Sequence, residues 1–174
     1  MATHLNIEIK ATCAQPAKVR RRLLAAGADF KGTDHQTDTY FKVSDGRLKL
    51  RQGPIENALI HYQRSNDAAP KGSAVTMTEV PPNSALKQVL TQALGVLVEV
   101  VKQREIYFID NVKFHIDEVP GLGSFVEIEA IDLQGDLGES YLQQQCRHYM
   151  QLLDIADDDL QAISYSDMLL AKSA

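Results

Sequence analysis

The chain has 174 residues, of which 44% are hydrophobic and 24% are charged, and its formal net charge is -5. This length predicts a single domain spanning residues 1–174. The acidic balance argues against a nucleic-acid partner, which usually needs a basic face. No run of 18 apolar residues is present, so we expect neither a transmembrane helix nor a membrane partner. Residues 1–5 lack the features of a signal peptide, and a cytoplasmic protein is expected.

The first predicted elements are a strand and a helix. Apolar and polar side chains alternate over 5–11, which is typical of a strand with two different faces. A helix is predicted over 17–26, because Pro16 precedes it and Gly27 follows it. Three further strand-like runs cover residues 37–43, 47–52 and 58–64.

The middle of the chain alternates loops with regular elements. Residues 65–73 contain Ser, Asn, Asp, Pro and Gly, and this composition predicts a loop. A strand is predicted over 75–80, followed by a helix over 85–94 that Ser84 can cap and Gly95 ends.

The remaining segments complete the predicted architecture. Residues 96–109 are β-branched enough for one or two strands, and further strands and helices are predicted over 112–119, 124–131, 137–153 and 158–171. About eight strands joined by short turns favour an antiparallel sheet, and this number suffices for a closed barrel. The predicted fold class is therefore α+β, an eight-stranded antiparallel β-barrel with helices packed outside.

Charged side chains recur at every second position of these strands. Such pairs share one face of a strand, while their apolar neighbours share the other. On a single strand this pattern is typical of a solvent face. On five strands, with apolar faces that helices can cover, it predicts charges that converge inside the barrel and need a charged ligand, water or pairing. The residues concerned are Asn6, Glu8, Lys10, Lys49, Arg51, Lys102, Arg104, Lys113, His115, Asp117, Glu127 and Glu129.

The mixture of signs indicates the class of ligand. Arg and Lys bind phosphate oxygens well. Carboxylates would repel a polyphosphate unless a hard cation lies between them, and Mg²⁺ is typically held by one or two carboxylates together with substrate phosphates. We therefore predict a metal-bound polyphosphate. The Gly-rich phosphate loop GxxxxGK[ST] is absent from the sequence.

The ordered set of motifs resembles a known family. Glu8-Ile9-Lys10 resembles the ExExK signature of the CYTH superfamily, the triphosphate tunnel metalloenzymes. The further matching motifs follow in the family's order: Lys49-Leu50-Arg51, Arg64, Lys102-Gln103-Arg104, Asp117 and Glu127-Ile128-Glu129. The segment 121–125, Gly-Leu-Gly-Ser-Phe, is most similar to the class IV adenylyl cyclase branch. One position departs from the signature, since Asn6 stands where the family has a carboxylate.

The resemblance implies a tunnel that binds a small-molecule triphosphate through Mg²⁺ or Mn²⁺. It assigns the metal to Glu8, Glu127 and Glu129. It assigns the triphosphate to Lys10, Lys49, Arg51, Arg64, Lys71, Lys102, Arg104 and Lys113, with Lys71 in a loop that closes over the substrate. Lys10, Arg64 and Asp117 are the implied catalytic residues. His115 is expected to be a hydrogen-bonded residue of the wall, and the class IV branch suggests a homodimer.

The sequence leaves three activities open. The first is a cyclase that converts ATP into cyclic AMP and pyrophosphate. The second is a triphosphatase that acts on inorganic triphosphate, thiamine triphosphate or another organic triphosphate. The third is a non-catalytic module that binds nucleotides or polyphosphate. Asn6 favours the third, because it removes one negative charge from the predicted metal site.

Overall fold

The computed structural model describes residues 2–64 and 68–174. The side chains of Ala2 and Arg64 and the predicted loop residues 65–67 lie outside this description. In chain order the elements are β1 (Ala2–Thr12), α1 (Pro16–Ala25), β2 (Asp29–Phe41), β3 (Arg47–Gln52), β4 (Asn57–Arg64), β5 (Lys71–Glu79), α2 (Leu86–Leu94), β6 (Val96–Ile109), β7 (Val112–Val119), β8 (Gly123–Asp132), α3 (Glu139–Leu153) and α4 (Tyr165–Ser173).

The eight strands form a closed antiparallel barrel in the order β1-β5-β4-β3-β2-β6-β7-β8. The barrel closes between β8 and β1, where Glu8 pairs with Glu129 and Lys10 pairs with Glu127. This architecture confirms the predicted α+β barrel. None of the helices within the described ranges combines the length and the apolarity needed to cross a membrane.

β2 and β5 begin well before the positions that the sequence pattern indicated. β2 begins at Asp29, eight positions before the predicted start, because it pairs with β6 along its whole length. β5 begins at Lys71 because Gly72 and Ser73 pair with Ile7 and Asn6 of β1. The prediction of a loop through residue 73 was therefore wrong at its C-terminal end. Both strands extend into polar segments without alternating apolar and polar residues, because their backbones form hydrogen bonds with a neighbouring strand there.

The last predicted helix is shorter than expected. Residues 160–164 are not helical, and Leu160 forms an isolated bridge with Ala11 of β1. α4 begins only after Ser164, whose side chain accepts the backbone N–H of Asp167 at 3.1 Å. A serine that caps a helix in this way fixes where the helix starts.

Apolar side chains form two clusters on opposite sides of the barrel wall. The larger cluster lies between the outer faces of β1, β7 and β8 and the helices α1 and α3; it includes Ile7, Leu23, Phe114, Ile128 and Leu142. The second cluster includes Tyr40, Ile60, Tyr62, Val75 and Tyr165, which line the interior. The helices α1 and α3 thus cover the outer faces of β1, β7 and β8, while charged side chains and the second apolar cluster lie inside the barrel.

Candidate functional site

The barrel encloses a cavity of about 510 Å³, lined by alternate residues of its strands. Nearly all of the side chains predicted to face inward line it, namely Asn6, Glu8, Lys10, Lys49, Arg51, Lys102, Arg104, Lys113, His115, Glu127 and Glu129. Arg64 lies on β4, but its side chain is outside the described part of the structure. The period of two therefore identified most of the charged strand residues that line this cavity.

Three cations of the cavity surround one buried carboxylate, and we call this group the Asp38 cluster. Arg51 donates to both Asp38 oxygens at 2.9 Å, while the ammonium groups of Lys102 and Lys49 lie 2.8 and 3.0 Å from Oδ2. Burial alone would raise the pKa of Asp38, but Arg51, Lys102 and Lys49 hold it well below its usual range. One negative charge thus faces three positive charges, and the cluster carries a surplus suited to an anion.

The pKa of Lys102 is lowered to about 7, and burial is the main cause. Asp38 opposes this shift, whereas the nearby charges of Arg51, Arg104 and Lys49 add to it. An ammonium with so low a pKa is partly deprotonated at neutral pH. A bound anion would favour its charged form.

Glu56 brings a second carboxylate to these cations from the loop between β3 and β4. Its side chain lies 3.1 Å from Arg51 and also forms an ion pair with Lys113. Asp34, which is fully buried, accepts the backbone N–H groups of Ile55 and Glu56 at 2.9 and 3.0 Å. The loop is therefore held by β2, and Glu56 has a fixed position beside the cavity.

Arg104 joins the acidic side of the cavity to the first turn of α4. Its guanidinium donates to Asp117 through Nε and Nη2, at 2.7 and 2.6 Å, and to Glu127 at 2.9 Å. The Tyr165 hydroxyl donates to Asp117 at 2.7 Å, and the Lys10 ammonium lies 4.0 Å from the centroid of the Tyr165 ring. Both oxygens of Asp117 are thus engaged, and Asp117 is not among the residues that line the cavity.

His115 lies against Glu127 on the neighbouring strand. Its Nδ1 donates to the Glu127 carboxylate at 3.0 Å, while Nε2 is buried and has no hydrogen-bond partner among the described residues. Burial, aided by Arg104, lowers the pKa of His115 to about 4. The imidazole is therefore neutral near pH 7.

Asn6, Glu8 and Glu129 form a second group, which we call the Glu129 cluster. Glu8 and Glu129 are paired across β1 and β8, and the Asn6 amide nitrogen donates to Glu129. Burial, together with Glu8 and Glu127, raises the pKa of Glu129, although Lys113 and Arg104 oppose the shift. Asn6 Oδ1 is buried without a hydrogen-bond partner in the described part of the chain. The cluster therefore holds a surplus of oxygen donors and of negative charge.

The donor set of the Glu129 cluster fits a hard divalent cation. Carboxylate and amide oxygens are the ligands that such ions prefer. A cation would also offset the burial and the repulsion by Glu8 that together raise the pKa of Glu129, and it would give Asn6 Oδ1 a partner. Within residues 2–64 and 68–174, no group of three or more His, Cys, Asp or Glu side chains has an arrangement that could hold a metal ion. Asn6, substrate phosphates and water are then the natural sources of the remaining ligands.

Lys71 lies at the first position of β5, where the sequence predicted a loop. Its side chain is buried, and its ammonium donates to the carbonyl oxygen of Ala162 at 2.8 Å. In this structure Lys71 therefore joins β5 to the segment that leads into α4, and it is not among the residues that line the cavity.

Among the residues that the sequence did not predict for the site, three bond through their side chains to predicted site residues: Asp38, Glu56 and Tyr165. Asp38 is two residues before Tyr40, and this spacing on a predicted strand was a usable signal for a shared inward face. Glu56 lies in a loop, which has no period, and Tyr165 reaches the site through the packing of α4. Neither of these two has a local sequence signal.

Comparisons with known proteins agree with this geometry. The family described as the CYTH domain matches residues 4–161. A Pyrococcus horikoshii protein is 23% identical, with a TM-score of 0.76, and the match covers 93% of this chain and 98% of that chain. A candidate adenylate cyclase from Vibrio parahaemolyticus is 14% identical, with a TM-score of 0.77, covering 95% and 98%.

A third solved structure, from Hippeastrum, is 13% identical with a TM-score of 0.61, and the match covers 98% of this chain and 95% of that chain. It is described as a candidate adenylyl cyclase with a dominant triphosphatase activity. No curated protein matches the sequence. At these identities the solved structures support the fold alone.

Proposed function

The chain belongs to the CYTH domain family, and we propose that it is a metal-dependent enzyme that acts on a small triphosphate. The specific activity we propose is that of a class IV adenylyl cyclase, which converts ATP into cyclic AMP and pyrophosphate. One observation carries the proposal: six cations, from β1, β3, β6 and β7, line a cavity that also contains the oxygen donors of the Glu129 cluster.

The Asp38 cluster is suited to hold the phosphates that leave as pyrophosphate. Lys49, Arg51 and Lys102 offer a surplus of positive charge on rigid strands. In the cyclase reaction the ribose 3′-hydroxyl attacks the α-phosphorus, and negative charge develops on the departing pyrophosphate. Cations fixed in advance at that position stabilise the developing charge without rearrangement.

Arg104 and Lys10 extend this cationic surface towards α4. We propose that both contact phosphate oxygens and that Asp117 acts as a positioning residue, because its two oxygens hold the guanidinium of Arg104. Arg64 and Lys113 complete the proposed phosphate-binding set, and Lys71 stabilises the segment before α4. Because both oxygens of Asp117 are engaged, the proton of the attacking hydroxyl passes to solvent water.

We propose that Glu8, Glu127 and Glu129 hold Mg²⁺ or Mn²⁺, with Asn6 as an additional oxygen donor. The ion, when bound, offsets the charge of the phosphate oxygens and makes phosphorus more electrophilic. Glu127 now accepts from Arg104 and His115, so its role requires at least one of these hydrogen bonds to be exchanged.

A triphosphatase is the second candidate, because the Hippeastrum structure described as having a dominant triphosphatase activity has the same fold. In that reaction water attacks the terminal phosphorus in the same cavity. A binding module without turnover is the third candidate, and Asn6 favours it because an amide lowers the negative charge available for metal ions.

One assay separates the three candidates. The purified protein is incubated with ATP, inorganic triphosphate or thiamine triphosphate in the presence of Mg²⁺ or Mn²⁺. Release of cyclic AMP supports the cyclase, release of phosphate alone supports the triphosphatase, and tight binding without product supports the module. Sedimentation of the same sample tests the expected homodimer, and cell fractionation tests the cytoplasmic location.

Two variants test the site. We expect Glu127→Gln and Arg64→Ala each to lower turnover by at least about a hundredfold while the fold is retained. Arg21→Ala is the matched control, because Arg21 is exposed on α1 and far from the cavity lining. Full activity in either site variant would contradict the proposed assignment of the cavity.

A further inference from the structure

One side of the cavity differs in chemistry from the rest. Four inward-facing side chains of β4 and β5 are apolar or aromatic, and we call them the β4–β5 wall: Ile60, Tyr62, Val75 and Met77. The described inward positions from Ala58 to Tyr62 and from Ser73 to Met77 carry no charge. Apart from Glu79, at the last position of β5, the described cations and carboxylates of the cavity come from the other strands and from the loop before β4.

A bare triphosphate does not match such a wall. It carries negative charge along its whole length, and phosphate oxygens pressed against apolar side chains lose water without gaining a partner. A cavity used only for inorganic triphosphate would therefore favour cations on every side. An organic group attached to the phosphates gains free energy on the same wall through burial of its apolar surface.

Lys49 marks the boundary between the two surfaces. Its ammonium belongs to the Asp38 cluster and also lies 5.5 Å from the ring centroid of Tyr40 and 5.7 Å from that of Tyr62. Lys49 is also paired directly with Ile60 across β3 and β4. A phosphate bound at Lys49 thus has the wall as its immediate neighbour.

We propose that the β4–β5 wall binds an uncharged organic group of the substrate, so that the site prefers organic triphosphates to inorganic triphosphate. The inference rests on the proposed function, since it assumes that the phosphates bind the cations of the cavity. It holds for a cyclase and for a triphosphatase alike. The hydroxyl groups of Tyr40 and Tyr62, which lie 3.4 Å apart, add a polar edge beside the ring of such a group.

The experiment measures binding of four probes by calorimetry. These are inorganic triphosphate, ATP, thiamine triphosphate and hexyl triphosphate, each with Ca²⁺ in place of Mg²⁺ to slow turnover. We expect at least one organic triphosphate to bind about tenfold or more tightly than inorganic triphosphate. The proposal is overturned if inorganic triphosphate binds as tightly as all three organic probes.

Ile60→Ala and Tyr62→Ala test whether the wall causes the preference. Each variant is expected to bind the preferred organic probe about tenfold more weakly, because it removes apolar contact area. Its affinity for inorganic triphosphate should be unchanged. Leu59→Ala is the matched control, since Leu59 precedes Ile60 on β4 and faces outward. Its affinity for every probe should remain that of the parent protein. Equal losses for both ligand classes in both wall variants would overturn the proposal.

Arg51→Ala separates this inference from the proposed function. Arg51 belongs to the Asp38 cluster and not to the wall. The loss of Arg51 should lower the affinities for organic and inorganic triphosphates by the same factor. If Arg51→Ala leaves inorganic triphosphate unaffected, the proposed phosphate site fails. The proposal for the β4–β5 wall, in contrast, depends only on the ratio of the affinities for organic and inorganic triphosphates.

Discussion

Two parts of the cavity balance charge in opposite ways. In the Asp38 cluster three cations surround one carboxylate, and the pKa of that carboxylate is well below its usual range. In the Glu129 cluster two carboxylates share their surroundings with a neutral amide, and the pKa of Glu129 is raised. Among the side chains that the structure describes, six cations and six carboxylates line the cavity, so their formal charges cancel while their distribution is uneven.

The difference supports our proposal that the ligand of this barrel is a complex of a metal ion with a triphosphate. The Asp38 cluster has more positive than negative charges, and the Glu129 cluster has only negative ones. A polyphosphate alone would satisfy the first and be repelled by the second, whereas a metal ion alone would do the reverse. A complex of both places each charge beside its opposite.

The largest effect is expected when Asp38 is removed. Asp38→Ala leaves Lys49, Arg51 and Lys102 close together without their shared carboxylate. We expect the free energy of unfolding to fall by about 3–5 kcal/mol, the usual result of breaking a buried ion pair, as measured by urea denaturation. Saturating inorganic triphosphate should restore about 2–3 kcal/mol.

Asp136→Ala, at an exposed position of the loop after β8, is the control for Asp38→Ala. It should change the free energy of unfolding by less than about 0.5 kcal/mol. If Asp38→Ala is as stable as this control, the three cations do not depend on Asp38, and the contrast between the two clusters is lost.

The second effect concerns Glu129. Glu129→Gln removes a charge that is already disfavoured by burial and by Glu8. Affinity for Mn²⁺ should fall by roughly 10- to 100-fold, as measured by calorimetry. Because the folded-state pKa of Glu129 is raised above its unfolded value, its ionisation costs stability at neutral pH. The variant without metal should therefore be at least as stable as the parent protein, and a clear loss of stability would contradict this account.

A smaller effect is expected from Asn6→Asp, which adds a charge with almost no change in shape. Affinity for Mn²⁺ should rise by about tenfold, because the added carboxylate is a stronger ligand than the amide. Without metal the free energy of unfolding should fall by about 1 kcal/mol, since Glu8 and Glu129 are close. Unchanged metal affinity would mean that position 6 is not part of the metal site.

The smallest effect is a dependence of triphosphate affinity on pH. Lys102 has a pKa lowered to about 7, so it is charged below pH 7 and loses its charge as the pH rises through 7. Affinity for inorganic triphosphate should therefore fall by roughly three- to tenfold between pH 6 and pH 8. In Lys102→Arg the side chain stays charged over this range, so the part of the fall in affinity that Lys102 causes should disappear. Titration of the ligand affects both proteins equally. Identical profiles for the two proteins would contradict the assignment to Lys102.

The sequence predicted the barrel and most of the charged residues that line its cavity because both depend on a short period. Lys49 and Arg51, or Glu127 and Glu129, share a face whatever their neighbours are. Cross-strand partners were not predictable in the same way. That Asp38 faces Arg51, or that Glu129 faces Glu8, depends on a register that only the pairing of whole strands determines.

Long-range packing accounts for the remaining differences. Tyr165 and Asp117 meet because α4 lies at one end of the barrel, and local sequence contains no sign of that contact. Lys71 lies between Pro70 and Gly72, two residues typical of loops, so its position in a strand could be recognised only from its pairing with β1. Polar residues near the start of β2, including Asp34 and Gln36, are fully buried because they bind one another and the loop before β4.

The closure of the barrel between β1 and β8 has a consequence for biosynthesis. β1 is the first of the eight strands to be translated, and β8 is the last. One edge of β1 therefore has no partner strand until β8 has been made. Until then the nascent sheet has open edges, and such late, non-local pairing is slow and prone to aggregation. Since Glu8 and Glu129 meet only at this seam, recovery of metal binding during refolding would serve as a clock for the last step of assembly.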